Sequence, residues 1–367
     1  MKIIFYGPVG GSKSQIIGGG ESGNRKTIAV LESLNFTVDV IEKPYPIKNR
    51  FAFLIFPVQL LFSYFKFFLK LLASRNVTFH LSGFYNHLIY IEWLLVTTSK
   101  FFGVKSIYEI RAGGAIESYN ENTFIYKYFF KKTLKNASFV LCQGSGYLPF
   151  IKLIANIDAL YYPNFILDIS LLPYNADSRV LNKTIEIVYF GRIVKSKNVE
   201  FILEICKSLE GVDFRCEIIG SGDEEYINSL IQLSKKFKIE KNIVINPSHN
   251  NEELMNKLKD KHFFLFPSKE KREGHSNSLT EAMSIGLVPL VSKAGFNASI
   301  VNNDFLVIEE FNPQIYAEKI ISIWYSNEWG NYSYNSYLRI KNNYTENSIK
   351  SVLKLVHSLQ NNKIENY

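Results

Sequence analysis

Two carboxylates, Glu273 and Glu281, stand with seven residues between them and bracket a small polar run, Gly274-His275-Ser276-Asn277-Ser278, followed by Leu279 and Thr280. The apolar run Phe263-Phe264-Leu265-Phe266 precedes them and reads as a strand, and a helix opens near Ser276. Backbone N–H groups at such a helix start, reinforced by the helix dipole, form an anion site suited to a diphosphate. Glu281, a turn into the helix, can then reach a ribose diol, and Glu273 projects towards whatever the phosphate carries. The plain alternative is a capped helix with a solvated Glu at each end. A second constellation, Gly191-Arg192 and then Lys197, follows the strand-like run Ile185–Phe190. Two cations at the carboxyl end of a strand can neutralise a leaving diphosphate, Arg through its planar fork and Lys as a point charge.

Near the amino terminus, Gly18-x-Gly20-x-x-Gly23 satisfies the dinucleotide pattern literally, with Asp39 or Glu42 near the end of the next strand as ribose partner. That reading would make the chain an NAD-dependent oxidoreductase. Against it, eleven residues separate Tyr6 from Gly18, whereas the fingerprint turns directly out of its strand. A P-loop fails, because Asn24-Arg25 follows Gly23 where Lys and Ser or Thr are needed. No D-x-D occurs and no His/Asp/Glu cluster has metal spacing, so neither a metal nor another cofactor is expected.

Loops of this kind need parallel strands to aim them. Lys2–Tyr6, Thr37–Ile41, Val77–Leu81, Ser106–Ile110 and Ser138–Cys142 read as strands separated by helical stretches, which is the repeating unit of a doubly wound sheet. A second set begins at Ile185 and runs through Phe214–Ile219, Ile243–Ile245, Phe263–Phe266 and Val288–Val291 to one long helical stretch from about Ser336 to Leu359. The expected organisation is an α/β chain of two Rossmann-like domains facing a central crevice. Their bounds are 1–167 and 184–335, with a linker at 168–183 and a helical segment, 336–367, packing back towards the first domain.

At 367 residues the chain is long enough for two such cores. Its charge is uneven: residues 1–167 carry a net +9, against +8 for the whole chain. A basic half meets something anionic. No nucleic-acid motif accompanies the surplus. Lys127, Lys131, Lys132 and Lys135 interleave with Tyr126, Tyr128, Phe129 and Phe130, a pattern suited to an interfacial membrane contact or to gripping a lipid-linked anionic acceptor. Phe51–Phe65 holds fifteen residues without a charge, but Pro57 interrupts it and it falls short of a membrane span. Three cysteines without C-x-x-C spacing imply no disulfide framework, and Met1–Gly7 is too short for a signal-peptide core. The chain is expected in the cytoplasm, peripheral on the inner face of the cell membrane.

Taken together, the motifs resemble those of the retaining nucleotide-sugar glycosyltransferases of family 4, the group 1 glycosyltransferases with the GT-B fold. Gly191-Arg192 with Lys197 is similar to the family's G-R-x-x-x-x-K, Glu273 to Glu281 to its E-x7-E, and Gly220-Ser221-Gly222 to its G-x-G turn. Pro163-Asn164 is similar to its P-N, and Gly18-Gly19-Gly20 to its amino-terminal glycine loop. The resemblance implies that Arg192 and Lys197 hold the diphosphate, Glu281 the ribose and Glu273 the donor sugar. It places Gly19, Gly20, Gly191, Gly220, Ser221 and the run His275-Ser276-Asn277-Ser278-Leu279 on the donor side. It also implies a nucleoside-diphosphate-sugar donor and a saccharide or lipid-linked saccharide acceptor, as in surface polysaccharide synthesis.

Three departures stand beside it. Arg111 occupies the place of a His that many members carry, so Arg111 is expected to contact phosphate or sugar, with His80, read as ending a strand, as its substitute on the acceptor side beside Lys127 and Lys131. Gly295-Phe296-Asn297-Ala298-Ser299 lacks the second glycine and the acid of the family's G-G-x-x-E. Asn198 stands where a glycine is common. Arg111 and Ser299 together leave a non-catalytic nucleotide-sugar-binding relative as a further reading.

Overall fold

The computed structural model describes residues 1–10, 18–45, 52–74, 76–84, 86–174, 184–247 and 251–358. The chain divides into two units, Met1–Phe165 with Glu346–Tyr367, and Ile166–Thr345. In the first unit the strands are β1 (Lys2–Gly7), β2 (Thr37–Glu42), β3 (Val77–Gly83), β4 (Lys105–Ile110), β5 (Phe139–Cys142) and β6 (Leu160–Tyr161). Its helices are α1 (Gly19–Ser33), α2 (Ala52–Ala73), α3 (Ile89–Phe101), α4 (Ala115–Glu121), α5 (Phe124–Asn136) and α6 (Tyr147–Ala155). The second unit has β7 (Ile185–Phe190), β8 (Phe214–Ile219), β9 (Ile243–Asn246), β10 (Phe263–Phe266), β11 (Val288–Ser292) and β12 (Val307–Ile308). With them run α7 (Val199–Lys207), α8 (Glu224–Lys236), α9 (Asn251–Leu258), α10 (Asn277–Ser284), α11 (Asn297–Val301), α12 (Pro313–Tyr325) and α13 (Trp329–Asn343); α14 (Glu346–His357) returns to the first unit.

Among the described residues every strand pairing is parallel. The sheet orders are β2-β1-β3-β4-β5-β6 and β12-β11-β10-β7-β8-β9. Strands β7, β10 and β11 are buried along their whole length, the state that continuous apolar runs without alternation demand. Part of the aromatic surplus goes into the strands of the two sheets: Phe5, Phe79, Tyr108, Tyr189, Phe263 and Phe264 are among the largest fully buried side chains.

Three expectations need correction. First, Pro57 does not interrupt its stretch: α2 runs through it to Ala73, and Leu54–Ala73, at a mean hydropathy of 1.5, is long and apolar enough to cross a membrane by length and composition. Proline removes one ladder hydrogen bond, a loss the apolar contacts of a 22-residue helix outweigh. Second, the terminal helical stretch is two helices. Ile166 pairs with Thr345, and its N–H donates to the Tyr344 carbonyl at 2.8 Å, so an extended segment separates α13 from α14. Third, His80 lies in the middle of β3, which continues to Gly83. Of the expected linker, residues 168–174 belong to the second unit, where the Tyr174 hydroxyl donates to the Gly330 carbonyl and meets Ser333 Oγ; residues 175–183 lie outside the described residues.

Candidate active site

Strand order in the second sheet reverses between β7 and β10, which pair directly through Phe263 with Ile187 and Phe264 with Val188. In open parallel sheets ligands bind beyond the carboxyl ends of the strands at that switch point, where the two outgoing loops diverge. Here the loop after β7 carries Gly191, Arg192 and Lys197, and the loop after β10 carries Ser268, Glu273 and His275. Both sequence constellations therefore converge on one place.

The first loop is braced by the turn after β8. Gly191 N–H donates to the Ile219 carbonyl and Ile193 N–H to the Ser221 carbonyl, at 3.0 and 2.9 Å. A Cβ on Gly220 would stand 1.8 Å from the Gly191 carbonyl oxygen, so no other residue fits while the loops keep this approach. The buried Tyr189 hydroxyl donates to the Arg192 carbonyl at 2.7 Å, holding the turn from inside. Burial first, and the charge of Glu273 second, push that phenol well above its usual range, so it stays a donor. The Arg192 side chain itself is exposed.

Lys197 ends a 3-10 turn, Lys195–Lys197, and its ammonium makes a buried ion pair with the Glu273 carboxylate. Ser268 Oγ donates to the same carboxylate oxygen at 2.9 Å, and Ser292 Oγ fastens the Ser268 carbonyl at 2.6 Å. Asn198, next to Lys197, has φ +57°, a left-handed conformation that Asn tolerates almost as well as glycine, which accounts for the departure at that position. Gly295, with φ +53°, packs on Glu273: a Cβ there would lie 2.0 Å from the Glu273 carbonyl oxygen. Ser268 and Gly295 carry positioning work that motif spacing did not assign to them.

Helix α10 starts beside this cluster. Ser276 caps it by accepting from Leu279 N–H at 3.3 Å, and Thr280 Oγ1 donates to the Ser276 carbonyl at 2.8 Å. His275 is buried, with Nδ1 at 3.5 Å from Thr280 Oγ1 and its ring against Tyr344. The Ser278 hydroxyl lies 4.0 Å from the position a Gly191 Cβ would take, so the helix start and the Gly191-Arg192 turn are neighbours. Asn277 follows the cap and Glu281 is half-buried one turn on. Ser299 lies in α11, where its carbonyl accepts from Arg339 Nη2 and from the Tyr344 hydroxyl.

In the first unit the sequence reading needs revision. Arg111 is buried: Nη2 meets Glu109 at 2.6 Å and donates to Thr27 Oγ1 at 2.9 Å, and Nη1 donates to Asn164 Oδ1 at 3.2 Å. Its guanidinium is committed to the framework rather than offered to phosphate. Burial pushes the Glu109 carboxyl up, but Arg111 and His80 outweigh it and hold it below its usual value. His80 is fully buried between Glu109 and His357, each at 3.1 Å, and acts as an internal hydrogen-bonding link. Lys127 and Lys131 ride over the Tyr119 ring at 5.6 and 5.9 Å, and Lys127 also donates to the Asn120 carbonyl.

The dinucleotide pattern dissolves in the same way. Gly18 caps α1, Gly19 and Gly20 open it, and a Cβ on Gly23 would lie 2.0 Å from Arg111 Nη1, so that glycine makes room for the arginine. Asp39 is bound by Lys2 and Lys70, and Glu42 accepts from the backbone N–H groups of Val9 and Gly10. The expected ribose partners are thus occupied.

Residues 175–346 match the family model of the group 1 glycosyl transferases. That stretch is nearly the whole second unit and contains every residue of the cluster around Lys197 and Glu273. Protein CapJ of Staphylococcus aureus is 25% identical over 189 residues, which are 49% of this chain and 45% of that protein; the chain spans about half the length of this curated relative. Among solved structures, sucrose-phosphate synthase of Thermosynechococcus elongatus superposes with a TM-score of 0.76 at 14% identity, covering 97% of this chain and 98% of that one. HepE of Anabaena, solved in complex with UDP, gives 0.72 at 12% identity over 97% and 99%. At such identities these likenesses establish the fold: two parallel-sheet domains of the GT-B glycosyltransferase type, which the sequence reading expected.

Proposed function

We propose that this chain is a retaining glycosyltransferase that moves a sugar from a nucleoside diphosphate to an acceptor hydroxyl without a metal ion. The observation that carries the reading is the convergence of Arg192, Lys197, Glu273 and the α10 start on the β7/β10 switch point. The donor class is supported by the family match over this unit and by HepE, a protein of the same fold that was solved with UDP.

In the reaction the bond between the anomeric carbon and the diphosphate oxygen breaks, and its electron pair leaves with the diphosphate. Arg192, Lys197 and the N–H groups of the α10 start stabilise that charge, electrostatic catalysis by groups already in position. Lys197 is paired with Glu273 before donor arrives, so its charge is turned towards the sugar side of the diphosphate. Glu273 orients the sugar hydroxyls and steadies the positive charge that grows on the ring, and Glu281 takes the ribose. The acceptor oxygen bonds the anomeric carbon on the face the diphosphate leaves, and its proton passes to the departing phosphate oxygen. The acceptor, a saccharide or lipid-linked saccharide of surface polysaccharide synthesis, is received by the basic first unit.

Thermal stabilisation by UDP, GDP, ADP, dTDP and NAD, repeated on Arg192→Ala, tests this. A nucleotide at about 100 times its dissociation constant adds roughly 2.7 kcal/mol. One nucleoside diphosphate stabilising the wild type but not the variant supports the transferase. Stabilisation by NAD alone replaces it with an oxidoreductase, and nucleotide binding with no turnover of any donor leaves a non-catalytic relative.

A further inference from the structure

Helix α2 presents two apolar faces, and only one is covered. Ser63, Phe67 and Leu71 are buried against the first sheet: Ser63 Oγ is 2.8 Å from the Tyr6 hydroxyl, and the Phe67 ring lies 4.4 Å from that of Phe79. On the other side Leu54, Val58, Leu61, Phe62, Phe65 and Leu69 recur at helical spacing and are each 47–65% exposed. A continuous stripe of large apolar side chains in water marks a contact surface.

Its surroundings say with what. Helix α2 contains no acidic residue, and Lys66 lies over the Phe62 ring at 4.9 Å. The nearby carboxylate of Asp39 is neutralised by Lys2 and Lys70. Helix α2 packs beside α3, and α3 beside α5. The latter also lacks acidic residues; it exposes Phe124 and Ile125, and its Lys132 lies over the Tyr128 ring. An apolar stripe with Lys66 at its edge, on a helix without acidic residues, fits an anionic lipid surface, where the stripe enters the acyl boundary and the lysine meets headgroups. A second copy of the chain would bring no acidic partner from its own α2 to Lys66. Crossing the bilayer would require α2 to abandon Tyr6 and Phe79, which hold its inner face.

We propose that α2 lies flat in the interface of an anionic membrane and docks the first unit there. The inference does not rest on the transfer reading, since vesicle binding is measured without nucleotide; a chain that binds vesicles and no nucleotide keeps the one and loses the other. The test is co-sedimentation of the full chain with vesicles of phosphatidylcholine, or of phosphatidylcholine with about a third phosphatidylglycerol. Binding to the anionic vesicles, weakened by salt, is expected, with about a tenfold or greater loss in Leu61→Gln/Phe62→Gln/Phe65→Gln at unchanged Tm. Lys66→Glu/Lys132→Glu, which leaves the stripe intact, should lose the preference for anionic over neutral vesicles. Equal binding by wild type and the triple variant overturns the proposal, as does wild type remaining in the supernatant of both vesicles. Resistance to alkaline extraction, the mark of a span, or a vesicle-free dimer that the triple variant dissociates, overturns it equally.

Discussion

Lys197 and Glu273 lie 76 positions apart and form a buried ion pair, each delivered by the loop that leaves one of the two strands at the sheet's switch point. Neither charge is solvated enough to stand alone, so each residue fixes the other before any substrate arrives. Lys197→Met should destabilise the fold by about 3 kcal/mol by leaving a buried carboxylate unpaired, while Lys197→Met/Glu273→Leu should cost less than the sum of the single changes. Denaturant titration of the four proteins measures this.

The same pair predicts the kinetic effect. Glu273→Gln should lower turnover by about 10² to 10³, with nucleotide binding retained, because the carboxylate is assigned to the sugar and not to the diphosphate. Initial rates with a donor found by the thermal panel, alongside the nucleotide dissociation constant, separate the two effects.

Gly295→Ala should be costly and Gly330→Ala should not. The first sets a Cβ 2.0 Å from the Glu273 carbonyl oxygen at a positive φ, whereas nothing lies within 4 Å of the second. We expect a loss of about 2 kcal/mol or more with reduced turnover for Gly295→Ala, and a change within about 1 kcal/mol, stabilising in sign, for Gly330→Ala in its helix.

Arg111→Met separates a framework role from a substrate contact. With Glu109 left buried and only His80 beside it, the variant should lose about 3 kcal/mol of stability. If Arg111 instead touched phosphate, Tm would hold while the donor KM rose.

Acid should loosen the first unit. Burial first, then the neighbouring His80 and Lys105, push the His357 imidazole well below its ordinary 6.5. The folded chain therefore binds fewer protons than the unfolded one just below that pH, and stability present above about 6.5 is lost as pH falls. Glu109, also held low, adds a further loss below about 4.5. Tm followed from pH of about 7.5 to 5 should fall more steeply in the wild type than in His357→Gln.

Much of this was legible in the sequence because short apolar-rich runs closed by a glycine or a proline read as buried parallel strands. The runs at Ile185 and Phe263 became β7 and β10 at their expected bounds, and the loops after them carry the site residues; Phe214–Ile219, where Arg215 and Glu217 alternate with buried residues, became β8. Strands β6 and β12, of two residues each, were too short to leave a pattern. Misreadings came where tertiary partners decide: nothing in the spacing around Arg111 shows that Glu109, Thr27 and Asn164 enclose it, and Pro57 looks like a break until the sheet under α2 is known. Gly23 matched a cofactor fingerprint for a reason that lies 88 residues further along, in the arginine that needs its space.

The link between His80 and His357 joins residues 277 positions apart, and α14 counts with the first unit although the whole second unit is translated between them. On the ribosome, the sheet that emerges first therefore cannot satisfy Thr78 and His80 until the final helix has been made, whereas the second unit, contiguous from Ile166 to Thr345, has all its own strands once Thr345 is out. The first unit is begun before the second and completed after it.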